Sequence, residues 1–418
     1  MMIYRKGEKG LDYQEAFEKL EKYGQTHLLQ YYDELEKSER ESLLQQIEKT
    51  DFSVVESMEE QADLKKRGAI TPIVSMQTDE IEKNKERFKA LGTEALRNRK
   101  VGAVLLAGGM GTRLGTEDPK GLYNIGVTKD LYIFECLIHN LREVVAETNT
   151  WVPLFIMTSE KNHDQTVAFL KKNGYFGYPE EEIWFFKQEM APAVDYEGKV
   201  LLETKSKIST SPNGNGGWFV SLERNGLLRK IHEMGIEWLN IFSVDNVLQK
   251  IADPVFIGAV IDSGVEVGSK VVRKACPEER VGVMCLEDGR PSIVEYYELT
   301  EEMRNQRDEK GELAYNYGVI LNYLFSVPAL EDIMSHKLVH HLVEKKITCL
   351  DGEGNEVKPE KPNGYKFEQL VLDMIHDLKS CLPFEVIRNK EFAPIKNATG
   401  VDSVETAREL LRLNGVSL

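Results

Sequence analysis

The stretch VGAVLLAGGMGTRLGTEDPKG, residues 101–121, decides how the rest of the chain reads. Val101–Leu106 is a short apolar run with no polar face, the pattern of a strand buried on both sides in a parallel sheet. It runs straight into a loop containing Gly108, Gly109 and Gly111. Glycines let the main chain approach a phosphate and turn successive N–H groups toward an anion. Arg113 adds a planar cation suited to phosphate oxygens, and Asp118-Pro119-Lys120-Gly121 sets a lysine on a turn just beyond. A P-loop would require G-x-x-x-x-G-K-[ST], and no Lys-Ser or Lys-Thr follows these glycines. The dinucleotide fingerprint G-x-G-x-x-G also fails: begun at Gly109 it meets Leu114, and begun at Gly111 it meets Arg113. A glycine turn without a ligand is the plain alternative, and Arg113 and Lys120 weigh against it.

Similar apolar runs lie at 152–157 (VPLFIM), 183–186 (IWFF) and 239–244 (LNIFSV), with helical periodicity between them at Ile133–Thr148 and 164–173. Strands alternating with helices predict an α/β fold with a Rossmann-like, doubly wound mixed sheet. Ligands of such sheets bind beyond the carboxyl ends of the strands. Before this region, residues 11–95 carry helical spacing, with Ser38 and Glu41 as a capping box. From about Ser269 the pattern changes to antiparallel strands at 270–273, 281–285 and 293–299, around a turn at Asp288-Gly289. A further hairpin is expected at D-G-E-G-N, 351–355. This part reads as a substrate-side lobe, and the chain closes on an amphipathic helix from about Val401. The expected organisation is a helical N-terminal extension (1–95), a catalytic domain (96–380) and a short C-terminal segment (381–418).

The 418 residues suffice for one large domain with attachments, at about 100–200 residues per domain. The net charge of -16, from 69 acidic and 53 basic residues, argues against a nucleic-acid partner, which would need a basic face. It does not exclude a nucleotide in a local basic cleft. The five cysteines form no C-x-x-C pair, which fits reduced thiols better than a disulfide framework or a zinc site. MMIYRKGEKGLDYQ has no apolar leader core, and no apolar run reaches membrane-spanning length. The expectation is a cytoplasmic protein with no membrane partner.

The stretch LAGGMGTRLGTEDPKG resembles the signature of the eukaryotic-type UDP-N-acetylglucosamine pyrophosphorylases and related UDP-sugar pyrophosphorylases, members of the nucleotide-diphospho-sugar transferase superfamily. The resemblance runs from about Gly24 to Lys396. It implies that Leu106, Ala107, Gly108, Gly109 and Gly111 bind nucleotide and that Arg113 and Lys120 act catalytically on phosphate. FFKQEMAP at 185–192 is similar to the segment whose glutamine recognises uracil, here Gln188. An amide can both donate to and accept from a pyrimidine edge. PNGNGG at 212–217 resembles the second glycine loop, implying uridine contacts at Gly214 and Asn215. Ser243-Val244-Asp245-Asn246 ends a strand on the carboxylate that looks like the family's metal ligand. Mg²⁺ takes one or two carboxylates and fills its shell with water and phosphate; a helix-capping aspartate is the plainer alternative. The sugar-side motifs are matched by Gly282, Glu295 and Asn316, with Val319 in place of the family's second asparagine and Tyr317 in place of a small residue. KPNGYKFE at 361–368 and FAPIKN at 392–397 supply Lys366 on the sugar side and Lys396 as a late catalytic cation.

The resemblance therefore implies a UTP:sugar-1-phosphate uridylyltransferase with Mg²⁺ as cofactor, producing UDP-sugar and pyrophosphate, with N-acetylglucosamine 1-phosphate the expected acceptor. Glucose, galactose and N-acetylgalactosamine 1-phosphate are the alternatives within the class. A non-catalytic nucleotide-sugar-binding module would keep Gln188 and the glycine loops but lose the cations or Asp245. His336 and His340 stand one helical turn apart without the Glu of H-E-x-x-H, and read as packing or surface residues rather than zinc ligands.

Overall fold

The computed structural model describes residues 10–58, 67–334 and 340–418. Residues 1–9, the greater part of the stretch MMIYRKGEKGLDYQ read above for a leader, and His336 lie outside them. The chain divides into two compact units, each discontinuous in sequence. The larger comprises Arg67–Gln188, Val371–Leu418 and the described part of Trp218–Leu338.

The larger unit is built on a ten-stranded mixed sheet: β1 (Ile70–Pro72), β2 (Val101–Leu106), β3 (Leu154–Thr158), β4 (Ile183–Lys187), β5 (Trp238–Ser243), β6 (Val267–Arg273), β7 (Val283–Glu287), β8 (Arg290–Val294), β9 (Tyr317–Ser326) and β10 (Cys381–Glu385). The main path runs β1-β7-β9-β5-β2-β3-β4, with β6 pairing β9 and β10, and β8 pairing β7. Strands β5, β2, β3 and β4 are mutually parallel. Along β2, side chains alternate between two cores: Val101, Ala103 and Leu105 enter one, Val104 and Leu106 the other. That two-residue period, apolar on both faces, is why the run shows no polar side in sequence. The chain leaves β2 for β3 on one side and later returns as β5 on the other. The strand order therefore reverses between β2 and β5, which opens a crevice at their carboxyl ends.

The doubly wound mixed sheet expected from the sequence is present, and the four apolar runs fall on β2, β3, β4 and β5. Three details differ. Within 11–95, Ile70–Pro72 is a strand, pairing antiparallel with β7. The helix Thr78–Arg97 belongs to the larger unit and crosses the helix Pro254–Ser263 closely, for a Cβ on Gly92 would fall 1.9 Å from the Pro254 carbonyl oxygen. The strands β6 to β9, between 267 and 326, extend the central sheet rather than forming a lobe of their own. The hairpin at Asp288-Gly289 is as expected, both residues taking positive φ (49° and 81°) as a two-residue turn between twisted strands requires.

The smaller unit comprises Glu189–Gly217 and the described parts of Met1–Lys66 and Val339–Leu370. Helices Tyr13–Lys22 and Lys37–Lys49 bury Leu20, Leu43 and Ile47 with Phe52, Val194, Ile208 and Phe367 in one core. The second helix is capped two residues earlier than the sequence suggested, at Glu36, whose N–H donates to the Glu39 carboxylate (3.0 Å). His341–Lys345 pairs with Gly364–Glu368, and Cys349–Leu350 with Glu356–Val357 across the 351–355 turn. His340 is buried and takes a hydrogen bond from the Gln369 amide (3.1 Å), a packed position.

Candidate functional site

The crevice at the ends of β2 and β5 gathers most of the residues singled out in the sequence. After Leu106 the chain turns through Ala107, Gly108 and Gly109 and folds back on itself. The Gly111 N–H donates to the Asp118 carbonyl (2.8 Å) and the Lys120 N–H to that of Gly109 (3.2 Å). The loop is tethered from beneath by Asn162, whose amide donates to the carbonyls of Ala107 (2.9 Å) and Gly109 (3.3 Å). Among the described residues, the N–H groups of Gly108 and Gly109 meet no acceptor. Main-chain donors left open at a strand end are what an incoming phosphate can satisfy.

Gln188 follows β4 and is buried, its N–H donating to the Thr158 carbonyl (2.8 Å). Its side-chain amide lies flat against the glycine loop: a Cβ on Gly108 would fall 2.7 Å from its Nε2. Two residues 80 positions apart in sequence, both read as nucleotide contacts, are thus neighbours.

Asp245 lies just past β5, beside the end of β2, where Leu106 and Ser243 are in register. Its carboxylate forms an ion pair with Lys120, whose side chain is only 12% exposed. The segment 393–396 runs antiparallel alongside: Ile395 donates to the Asp245 carbonyl (2.9 Å) and Pro394 bridges to Asn246. Lys396 is thereby brought next to Asp245, its ammonium resting on Asp402 (3.0 Å). Arg113 is exposed and makes no side-chain hydrogen bond or ion pair among the described residues.

A third group sits on β7–β9. A Cβ on Gly282 would lie 3.1 Å from Ile293, 3.4 Å from Val319 and 3.5 Å from the Glu295 carboxylate, so Gly282, Glu295 and Val319, all in motifs read as sugar-side, converge. Burial, reinforced by Glu298, pushes the Glu295 carboxyl up, and Lys396 is among the groups pulling it back. Asn316 is buried, and its carbonyl and side-chain oxygens accept from the Lys274 N–H (2.9 and 3.1 Å). Gly214, Asn215 and Lys366 belong to the smaller unit. There the 212–217 loop is bound to Gln369, whose N–H donates to Asn213 (2.6 Å) and whose carbonyl accepts from Gly216 (2.8 Å).

Among the described residues no group of three His, Cys, Asp or Glu side chains could hold a metal. The carboxylate at the end of β5 is Asp245, partly exposed and paired with Lys120, while the nearby Lys396 is paired with Asp402. That arrangement is unsuited to a protein-enclosed ion and suited to Mg²⁺ shared with a polyphosphate. Two residues escaped the sequence reading, Asn162 and Asn246. Both hold main chain rather than face the crevice, and no motif marks that role.

The family model described as UTP–glucose-1-phosphate uridylyltransferase matches residues 45–411. A Xenopus tropicalis protein named UDP-N-acetylhexosamine pyrophosphorylase-like protein 1 is 40% identical over 337 residues, covering 78% of this chain and 66% of its own. The UDP-N-acetylglucosamine pyrophosphorylase of Saccharomyces cerevisiae is 37% identical over 340 residues (78% and 71%). The crystal structure of a Trypanosoma brucei uridine diphosphate N-acetylglucosamine pyrophosphorylase superposes with a TM-score of 0.82 at 28% identity, covering 97% of this chain and 85% of that one. The chain thus spans roughly two thirds of the length of the first curated relatives it matches.

Proposed function

The chain belongs to the UTP–glucose-1-phosphate uridylyltransferase family, and on that premise we propose that it joins UTP to N-acetylglucosamine 1-phosphate, forming UDP-N-acetylglucosamine and pyrophosphate. The observation that carries this reading is the convergence of a glycine loop with open N–H groups, Lys120, Asp245 and the Lys396 segment at one sheet crevice. The choice of N-acetylglucosamine follows the names of relatives 36% and 37% identical to this chain. Glucose 1-phosphate is the second reading, favoured by Val319, an aliphatic side chain packed on Gly282 where an amide would mark an N-acetyl sugar in the family pattern.

The reaction is an in-line displacement. An oxygen of the sugar 1-phosphate attacks the α-phosphorus of UTP, a new P–O bond forms, the α–β bond breaks, and pyrophosphate leaves with the electron pair. The attacking oxygen is already anionic, so no general base is required, and the protein contributes positioning and charge neutralisation. Gln188 reads the uracil edge. The N–H groups of Gly108 and Gly109, with Arg113, hold the departing phosphates. Lys120 gives up Asp245 and turns to the polyphosphate, while Lys396 faces the sugar phosphate and the α-phosphate. Asp245, released from Lys120, would hold Mg²⁺, which when bound neutralises phosphate charge. Glu295, Gly282 and Asn316 line the sugar side. Gly214, Asn215 and Lys366 enter this scheme on the resemblance alone.

Arg113→Ala and Lys120→Ala are expected to lower kcat about 10²-fold while leaving the thermal melt of the protein close to wild type. Steady-state pyrophosphate release measures the first and a melting curve the second. Unchanged rates in both variants would remove the phosphate roles, and Mg²⁺-dependent activity surviving in Asp245→Ala would remove the metal role.

A further inference from the structure

Asn246, immediately after the proposed metal ligand, faces away from the crevice and is 2% exposed. Its amide group is used on both sides. The Nδ2 donates to the Glu391 carbonyl (2.7 Å), and the Oδ1 accepts from the N–H of Ala393 (2.8 Å). The same oxygen accepts from the Leu248 N–H (3.3 Å). One side chain thus brackets the main chain of residues 391–393, as a neighbouring strand would. The Val247 N–H adds a bond to the Ala393 carbonyl (3.3 Å), and the Ile395 N–H donates to the Asp245 carbonyl (2.9 Å). Glu391 is itself held from the far side. Its carboxylate meets Lys270 at 2.6 Å, and Lys270, completely buried, also meets Asp253 at 3.1 Å.

We infer that Asn246 is a positioning residue which sets the spacing of Lys396 from Asp245 by clamping the 391–393 main chain to the end of β5. The inference rests on the assignment of Asp245 and Lys396 to the phosphates. Neither neighbour of asparagine in chemistry can replace it: aspartate cannot donate to the Glu391 carbonyl, and alanine offers neither contact. A partner that orients a ligand-binding group costs about 10- to 100-fold in activity when removed. The expected phenotype is a fall in kcat of that size for Asn246→Ala, with the KM for UTP unchanged, because Gln188 lies at the end of β4, across β2 and β3 from Asn246.

A double-mutant cycle on the full chain separates this role from general support of the fold. Uridylyl transfer from UTP is measured for wild type, Asn246→Ala, Lys396→Ala and the double variant, each corrected for folded protein by circular dichroism. If Asn246 acts through Lys396, adding Asn246→Ala to Lys396→Ala lowers kcat by less than about threefold, RT ln 3 being ~0.65 kcal/mol. Effects that multiply would overturn the positioning role and leave the enzyme reading intact. A full rate in Lys396→Ala would overturn both the Lys396 assignment and this inference. If Asn246→Ala does not fold, Asn246→Asp is carried through the same cycle, since it keeps both acceptor contacts and loses only the donor.

Discussion

Gly108 is small because Gln188 occupies the space a side chain would need. A methyl group there would overlap the amide at 2.7 Å, well inside van der Waals contact, so the amide has to turn away. Gly108→Ala is therefore expected to raise the dissociation constant for UTP about tenfold, ~1.4 kcal/mol, and to erode discrimination against other nucleoside triphosphates. Calorimetric titration measures both, and wild-type affinity would contradict the contact. Glu295 makes a prediction in the opposite sense for stability. Burial first, and Glu298 second, raise its carboxyl above the ordinary range. A carboxyl raised in the folded state leaves stability intact below the unfolded pKa and subtracts from it as pH climbs through the folded one. Glu295→Gln should therefore melt higher than wild type near neutral pH, match it in acid, and lose activity with sugar phosphate. A variant less stable at neutral pH would show that the charge is supported rather than tolerated.

At the level of elements, the buried trio of Lys270 on β6 with Asp253 and Glu391 fastens the Lys396 segment to the sheet. Removing one partner of such a set leaves uncompensated buried charge, so Lys270→Met should cost about 3–5 kcal/mol, read from the urea midpoint. Burial opposes the charge of Asp253, but Lys270 and Lys250 outweigh it and hold the carboxyl below its usual range. That contribution is complete above the unfolded pKa and is lost as pH falls through the folded one. Elements with their own period were legible in the sequence: β2 through β5, the helix Ile133–Thr148 and the Asp288-Gly289 hairpin. What escaped depends on partners far along the chain. Ile70–Pro72 is three residues long and is a strand only because β7 lies beside it. The helix Thr78–Arg97 has the same amphipathic spacing as the N-terminal helices, and only its close crossing at Gly92 shows where it docks. The two clamping asparagines, Asn162 and Asn246, act on main-chain groups that sequence cannot bring together.

For the whole molecule, a net charge of -16 coexists with Lys120, Lys396 and Arg113 around one crevice, so the local field, not the total, governs anion binding. No helix among the described residues is long and apolar enough to cross a membrane. The family and fold expected from LAGGMGTRLGTEDPKG are borne out by the family model over 45–411 and by the Trypanosoma brucei structure, because that loop and its strand are contiguous features a single sequence displays. The acceptor sugar was less legible, since Gly282, Glu295 and Val319 meet only once β7, β8 and β9 pair. The most direct test is pyrophosphate release from purified protein given UTP, Mg²⁺ and, one at a time, the 1-phosphates of N-acetylglucosamine, N-acetylgalactosamine, glucose and galactose. The account predicts release that requires both UTP and a sugar phosphate and is fastest with N-acetylglucosamine 1-phosphate. Tight UTP binding with no release from any of the four would contradict it and point to a nucleotide-sugar-binding protein.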